Sequence, residues 1–374
     1  MVPGRLRSAT TWLLPDVAFR RLPLRRRFLY SLVPVFLLLL GGEIAARVVK
    51  DPLYFGSYRV RRFDLMRSGY PAIYDARLGY TLKPDTVSEH SYGGEFVTVD
   101  AEGLRSNGPH ERPPGRPIIA TGDSFTFGSQ VGDTESWPAQ LEARLHQPVH
   151  NAGVFGFSLG QAVLHAEMLL EKHPAAEWLI VSFIDDDLAR CEFRCSYTPI
   201  PWFEPKGGSL VLHPPESEGP TPEARSAKAW KDAIGYSALA DTVFAHALPL
   251  WWCTNIHQRR ALPEGAGVEV GRLLVDRVVA ECQEHGVRLL ILRQGDRAVP
   301  GAARVLERAR ERGALVLDLV TEYQALLATD PALADRWFVD HMTAAGNAWV
   351  AQRIAEVIAG ASQYEGDPVV PAKR

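Results

Sequence analysis

From Pro117 onward, short apolar runs alternate with longer stretches of helical periodicity, and few architectures accept that pattern. Candidate strands are 117–121, 148–151, 178–184, 287–293 and 314–318. Candidate helices are 136–146, 158–171, 268–285, 301–312, 319–328 and 343–359. Apolar strands between amphipathic helices imply an α/β fold, a parallel sheet covered by helices on both faces. Ligand sites in such sheets lie at the carboxyl ends of the strands. Residues that directly follow a strand therefore carry the functional reading.

The first of these segments is Gly122-Asp123-Ser124-Phe125-Thr126-Phe127-Gly128, directly after the run Pro117–Thr121. Glycines at both ends permit a tight turn from strand to helix. Ser124 would then sit beside the first amides of a helix, which are unpaired donors and favour negative charge. That makes it a candidate nucleophile. Asp and Ser are equally common helix caps, and the tripeptide alone does not decide between the two.

This segment resembles the first block of the SGNH, or GDSL-type, hydrolases, and counterparts of three further blocks follow in order. Asn151-Ala152-Gly153 resembles the second block, whose glycine amide binds the oxyanion. Ile184-Asp185-Asp186-Asp187 stands where the third block, Gly-x-Asn-Asp, belongs. His341-Met342-Thr343-Ala344-Ala345-Gly346-Asn347 resembles the last block, which supplies the catalytic histidine. The resemblance spans Asp75 to about Gly360 and implies a flavodoxin-like strand order. It assigns Ser124 as nucleophile, His341 as base, and Ser124, Gly153 and Asp186 to the oxyanion hole.

Two positions depart from the family pattern. Asp186 replaces the asparagine that donates a hydrogen bond to the oxyanion, and an ionised carboxylate donates none. The triad acid belongs three residues before the histidine, where this chain has Phe338. The nearest acids are Asp340, adjacent to His341, and Asp335, six residues before it. Neighbours in an extended chain point to opposite sides, so Asp340 can orient His341 only through a turn. A rival nucleophile, Ser158, lies in Gly156-Phe157-Ser158-Leu159-Gly160, which fits the Gly-x-Ser-x-Gly elbow. No glycine-rich oxyanion segment precedes it, and Ser158 also suits the cap of the helix that follows.

The ends of the chain differ from its middle. Residues 1–27 carry seven arginines and one acid, +6 in all; the whole chain is −3, leaving −9 on residues 28–374. An acidic body argues against nucleic acid as a partner. After Arg25-Arg26-Arg27 come fifteen uncharged residues, Phe28 to Gly42, and the apolar character continues to about Ala46 with Glu43 near its far end. Nineteen helical residues span roughly 28 Å, about a bilayer core. Residues 1–27 thus read as a basic cytoplasmic leader and 28–49 as a transmembrane helix in the inner membrane, with the body extracytoplasmic or periplasmic. A cleaved signal peptide, processed near Ala45-Ala46, and a buried core helix are the alternatives.

Residues 50–115, rich in Gly, Pro and Tyr, read as a small β-rich cap or a plain tether ahead of the main domain, 116–360. The alternation breaks at 188–266, an insertion of the kind that forms a lid. Within it, 202–212 reads as a hairpin turning at Lys206-Gly207-Gly208, and 214–226 as a loop. Trp230, Trp251 and Trp252 follow, as sugar-stacking aromatics or as core. The tail 361–374 reads as disordered. Cys191 and Cys195 are close enough to bridge, whereas Cys253 and Cys282 read as buried or free thiols. No cysteine or histidine spacing suggests a metal, and the chemistry implied needs no cofactor.

The expectation is a membrane-anchored serine esterase or acyltransferase that acts on O-acyl groups, acetyl among them, of envelope or exopolysaccharide glycans. The alternative is a non-catalytic envelope assembly or glycan-binding protein that keeps the fold.

Overall fold

The computed structural model describes residues 23–59, 71–88, 96–109, 111–196, 198–215, 230–248, 252, 259–297 and 301–364. Most of the basic leader, most of the expected 214–226 loop, Trp251, Cys253 and the tail from 365 lie outside them. The chain packs as two units, residues 1–62 with 222–254, and 63–221 with 255–374. The 188–266 insertion is therefore shared between them.

The smaller unit contains the helix Leu24–Lys50, longer at both ends than the 28–49 segment read from sequence. Its apolar side chains from Phe28 to Leu40 are exposed, and it is long and apolar enough to cross a membrane. Glu43 near its end accepts hydrogen bonds from the Ser237 hydroxyl (2.6 Å) and the amides of Ala238 and Leu239 (3.0 Å each). A carboxylate thus sits on the amino terminus of the helix Ala238–Ala247, where the peptide dipoles favour it. Lys50 pairs with Asp241, whose other oxygen accepts from the Trp252 indole at 2.7 Å. Trp252 is fully buried, with Arg59 over its ring, so it belongs to the core of this unit.

The larger unit opens with two hairpins: β1 (Ala72–Asp75) with β2 (Gly79–Leu82), and β3 (Thr86–Ser88) with β4 (Val97–Val99). They are part of the domain rather than a tether. Leu78, Tyr80, Leu82, Val97 and Val99 lie in its main core, and Tyr80 donates to Phe155 O at 2.9 Å. The parallel sheet comprises β5 (Ile118–Gly122), β6 (Val149–Gly153), β7 (Trp178–Phe183), β12 (Arg288–Arg293) and β13 (Leu315–Asp318). Its order is β13-β12-β7-β5-β6, the flavodoxin-like arrangement.

Alternate strand residues point to opposite faces and feed two cores. Ile119, Leu179, Val181, Leu289 and Ile291 pack against α3 (Leu159–Lys172), α5 (Gly267–His285) and α6 (Ala302–Glu311). Ile118, Ala120, Ile180, Leu290 and Leu292 pack on the other side with α2 (Trp137–Leu145) and α9 (Ala344–Tyr364). Helix α9 runs to Tyr364, so the first part of the expected disordered tail is helical. Shorter elements complete the unit: α1 (Ser124–Phe127), α4 (Asp185–Arg190), α7 (Leu319–Leu327) and α8 (Leu333–Trp337). The strand pairs β8–β11 (Phe193–Cys195, Arg259–Arg260), β9–β10 (Trp202–Lys206, Ser209–His213) and β14–β15 (Phe338–Val339, His341–Met342) join them.

The hairpin β9–β10 forms as expected but is not a lid. Phe203 is buried against Gly160 of α3 and under Arg277 of α5, on the flank of the sheet. The bridge between Cys191 and Cys195 does not form: Cys191 is a buried thiol that donates to Asp187 O, and burial pushes its pKa up to about 12.

Candidate active site

Strand β5 ends at Gly122, Asp123 caps α1, and Ser124 is the first residue of that helix. Asp123 is fully buried; its Oδ1 accepts the Phe125 amide at 3.0 Å. The helix lasts one turn because Gly128 takes the left-handed conformation (φ 82°) and returns its amide to Ser124 O at 2.9 Å. Ser124 is thus held on a rigid, buried corner at the carboxyl edge of the sheet.

The structure brings His341 to this corner. Its Nε2 lies 2.9 Å from Ser124 Oγ, and its ring centroid is 5.3 Å from that of Phe125. With the proton on Nδ1, Nε2 accepts the serine hydroxyl hydrogen. Asp340 reaches the ring despite being adjacent in sequence. It occupies a left-handed conformation (φ 71°) in the tight turn between β14 and β15, where Val339 pairs with His341. That turn sets Asp340 Oδ2 3.4 Å from His341 Nδ1. Gln130, also left-handed, fixes the same turn: its Oε1 accepts the His341 amide at 3.2 Å, and its Nε2 donates to Asp340 Oδ2 at 3.5 Å. No motif pointed to Gln130, because its partners lie more than two hundred residues away.

Phe338, three residues before His341, packs against Tyr323 (centroids 4.9 Å apart) and Phe125. Asp335, on α8, lines the cleft above Ser124, which has a volume of about 490 Å³. Asp186 is exposed on α4 and lines the same cleft. Asp185 lines the cleft too, whereas Asp187 does not, and both are held in ion pairs. Asp185 is buried in a two-pronged ion pair with Arg293, 2.7 Å at each contact. Asp187 is buried against Arg190, and burial, reinforced by the negative charge of Asp123, holds its carboxyl well above the usual range. Arg190 also reaches Asp123 Oδ2, at 3.3 Å.

Gly153 lies at the end of β6, beside α1. Its amide donates to Asn151 Oδ1 at 3.2 Å, and it does not line the cleft. The glycine is required for packing: a Cβ there would lie 2.2 Å from the Phe127 amide nitrogen and 2.5 Å from Thr126 C, on the backbone of α1. Ser158 lies outside the cleft and is a cap. It accepts the Gln161 amide at 3.2 Å in a reciprocal box, and Gln161 in turn donates to Leu78 O.

Neither a family model nor a curated protein matches this chain. Among solved structures it is similar to one described as a "putative lipolytic protein of G-D-S-L family from Desulfitobacterium hafniense DCB-2". The two share 14% identity over 65% of this chain and 99% of the other, with a TM-score of 0.35. A "putative SGNH hydrolase from Slackia heliotrinireducens" is similar at 14% identity, over 66% of this chain and 100% of the other, with a TM-score of 0.34.

Proposed function

We propose that this chain is a serine hydrolase or acyltransferase of the SGNH type that acts on short O-acyl esters. The observation that carries the reading is the 2.9 Å contact between Ser124 Oγ and His341 Nε2 at the carboxyl end of β5. In this reading His341 takes the hydroxyl proton as Ser124 attacks the ester carbonyl, and returns it to the departing alcohol. Asp340 stabilises the imidazolium across the turn. The Ser124 amide, in the first turn of α1, has no helical partner and faces the developing oxyanion. Water then releases the acyl group, or a sugar hydroxyl accepts it.

The cleft favours a neutral substrate. Asp185, already paired with Arg293, and Asp186, Asp296, Asp335 and Asp340 line it against Arg190 and Arg297, so acids outnumber bases. An uncharged acetylated glycan meets less repulsion there than an anionic ester. The helix Leu24–Lys50 would anchor the domain in the inner membrane, with the arginines of its first turn and those before it on the cytoplasmic side.

Covalent labelling by a fluorophosphonate probe tests the mechanism. Wild type and Ser158→Ala should label, and Ser124→Ala and His341→Ala should not. A second reading, a glycan-binding protein without turnover, draws on Asp186 in the cleft and the Gly153 amide turned to Asn151. An unlabelled wild-type chain would favour it.

A further inference from the structure

Away from the cleft, on the outer edge of the sheet, two histidines and a glutamate converge from distant parts of the larger unit. His150 is the second residue of β6, His173 ends α3, and Glu102 sits in the turn after β4. A ring nitrogen of each histidine and a carboxylate oxygen lie within 4.8 Å of one another. The rings meet edge to face with centroids 4.5 Å apart, and His173 Nε2 is 3.4 Å from Glu102 Oε2.

Two features set this cluster apart from an ordinary surface pair. His150 is only 8% exposed, and its Nδ1 is buried with no hydrogen-bond partner. His173 Nε2 is buried in the same condition. Leaving one such nitrogen unsatisfied is unfavourable, and two side by side call for an explanation. The neighbouring charges are balanced: Arg112 pairs with Asp100 at 2.6 Å, and Lys172 stands 3.5 Å from Glu102 Oε1, leaving Oε2 toward His173.

We propose that Glu102, His150 and His173 form a zinc site, with water completing the coordination. Two imidazoles and a carboxylate are a donor set zinc accepts. Bonds of about 2.1 Å in a tetrahedron place ligand atoms about 3.4 Å apart. Closing the triangle needs about 1.4 Å at most, which the half-exposed Glu102 side chain supplies by rotation. The metal would staple the β4 turn, the edge strand β6 and the end of α3. Three residues beyond Glu102, the Arg105 amide bonds Asn151 O at 2.9 Å, and the buried Arg105 side chain holds the carbonyls of Phe127, Gly128 and Val131. The site is thus one step removed from the loop behind Ser124, and its role is structural. The ligands lie 48 and 23 residues apart in sequence, a spacing no short metal motif describes.

The test uses the full chain, without a histidine tag, in detergent after chelator treatment. Zinc is titrated in competition with a chromophoric chelator, and cobalt(II) reports geometry by its visible absorption. One ion per chain, an intense tetrahedral cobalt band and a raised Tm are expected. Glu102→Gln and His173→Asn should each weaken binding by more than about tenfold. His246→Asn, an exposed histidine in the smaller unit, should not. Glu102→Gln guards against misfolding, because its side chain is largely at the surface. Absence of saturable binding to the wild type, or binding untouched by Glu102→Gln and His173→Asn, would overturn the proposal.

Discussion

Replacing Gly153 with alanine separates packing from chemistry at the nucleophile. The added Cβ would lie 2.2 Å from Phe127 N and 2.5 Å from Thr126 C. Ordinary contact is about 3.5 Å, so relief requires a shift of about 1 Å. Both obstacles are backbone atoms of α1, which no side-chain rotation can clear. Strand β6 cannot yield easily, because it is paired with β5 along its length and buried. The shift therefore falls on the one-turn helix that carries Ser124. Overpacking of this size costs about 1–3 kcal/mol, or roughly 2–5 °C in Tm for a unit of this size. Moving a nucleophile by 1 Å can cost on the order of a hundredfold in rate. Tm by differential scanning fluorimetry and turnover of p-nitrophenyl acetate would be measured together. A Gly153→Ala chain with unchanged Tm and more than a third of wild-type turnover would refute the reasoning. So would a rate loss at unchanged Tm, because it would separate the loss of turnover from the packing cost.

Asp186→Asn restores a donor on the cleft wall at nearly constant volume; losing such a donor typically costs about a hundredfold, so turnover should rise while Tm holds. A fall in both would show that Asp186 is structural. Burial pushes the His165 pKa down to about 4, below the unfolded value of 6.5. The unfolded chain therefore binds the proton first, and stability present above pH 6.5 should fall as pH drops toward 4, by on the order of 3 kcal/mol for this group. Acid melts of wild type and His165→Gln check this, and parallel curves would exclude His165 as the source. A carboxyl-terminal alkaline phosphatase fusion should be active in a bacterial host; an active cytoplasmic reporter in its place would reverse the proposed orientation.

Much of the sheet was legible because β5, β7 and most of β12 are buried on both faces, so they appear as nearly unbroken apolar runs. The helices between them were legible because one face of each is apolar. Both signals are local, and boundaries agree within one or two residues except at α9. The pairing of Ser124 with His341 was legible only through motif order, since 217 residues separate them. What escaped was set by tertiary neighbours. Asp340 looked badly placed until its left-handed turn folded it back. Nothing local in the sequence marks Arg105 and Arg293 as buried guanidiniums. The packing of Gly153 on the backbone of α1 has no signal in the motif that contains it. The hairpin at 202–213 was visible as a hairpin, but its docking on α3 and α5 was not.

Glu43 on the first helix and Ser237, which caps its partner, are 194 residues apart. A ribosome adding about 5–20 residues per second needs roughly 10–40 s to bridge that interval. The whole of β1 through β10 is made in between. The smaller unit thus begins first and finishes late: its leading helix must wait, with Glu43 lacking its cap partners, while the sheet strands β5–β7 emerge. A nascent chain stalled before residue 237 would show the difference as a protease-sensitive 51–59 segment beside the waiting helix.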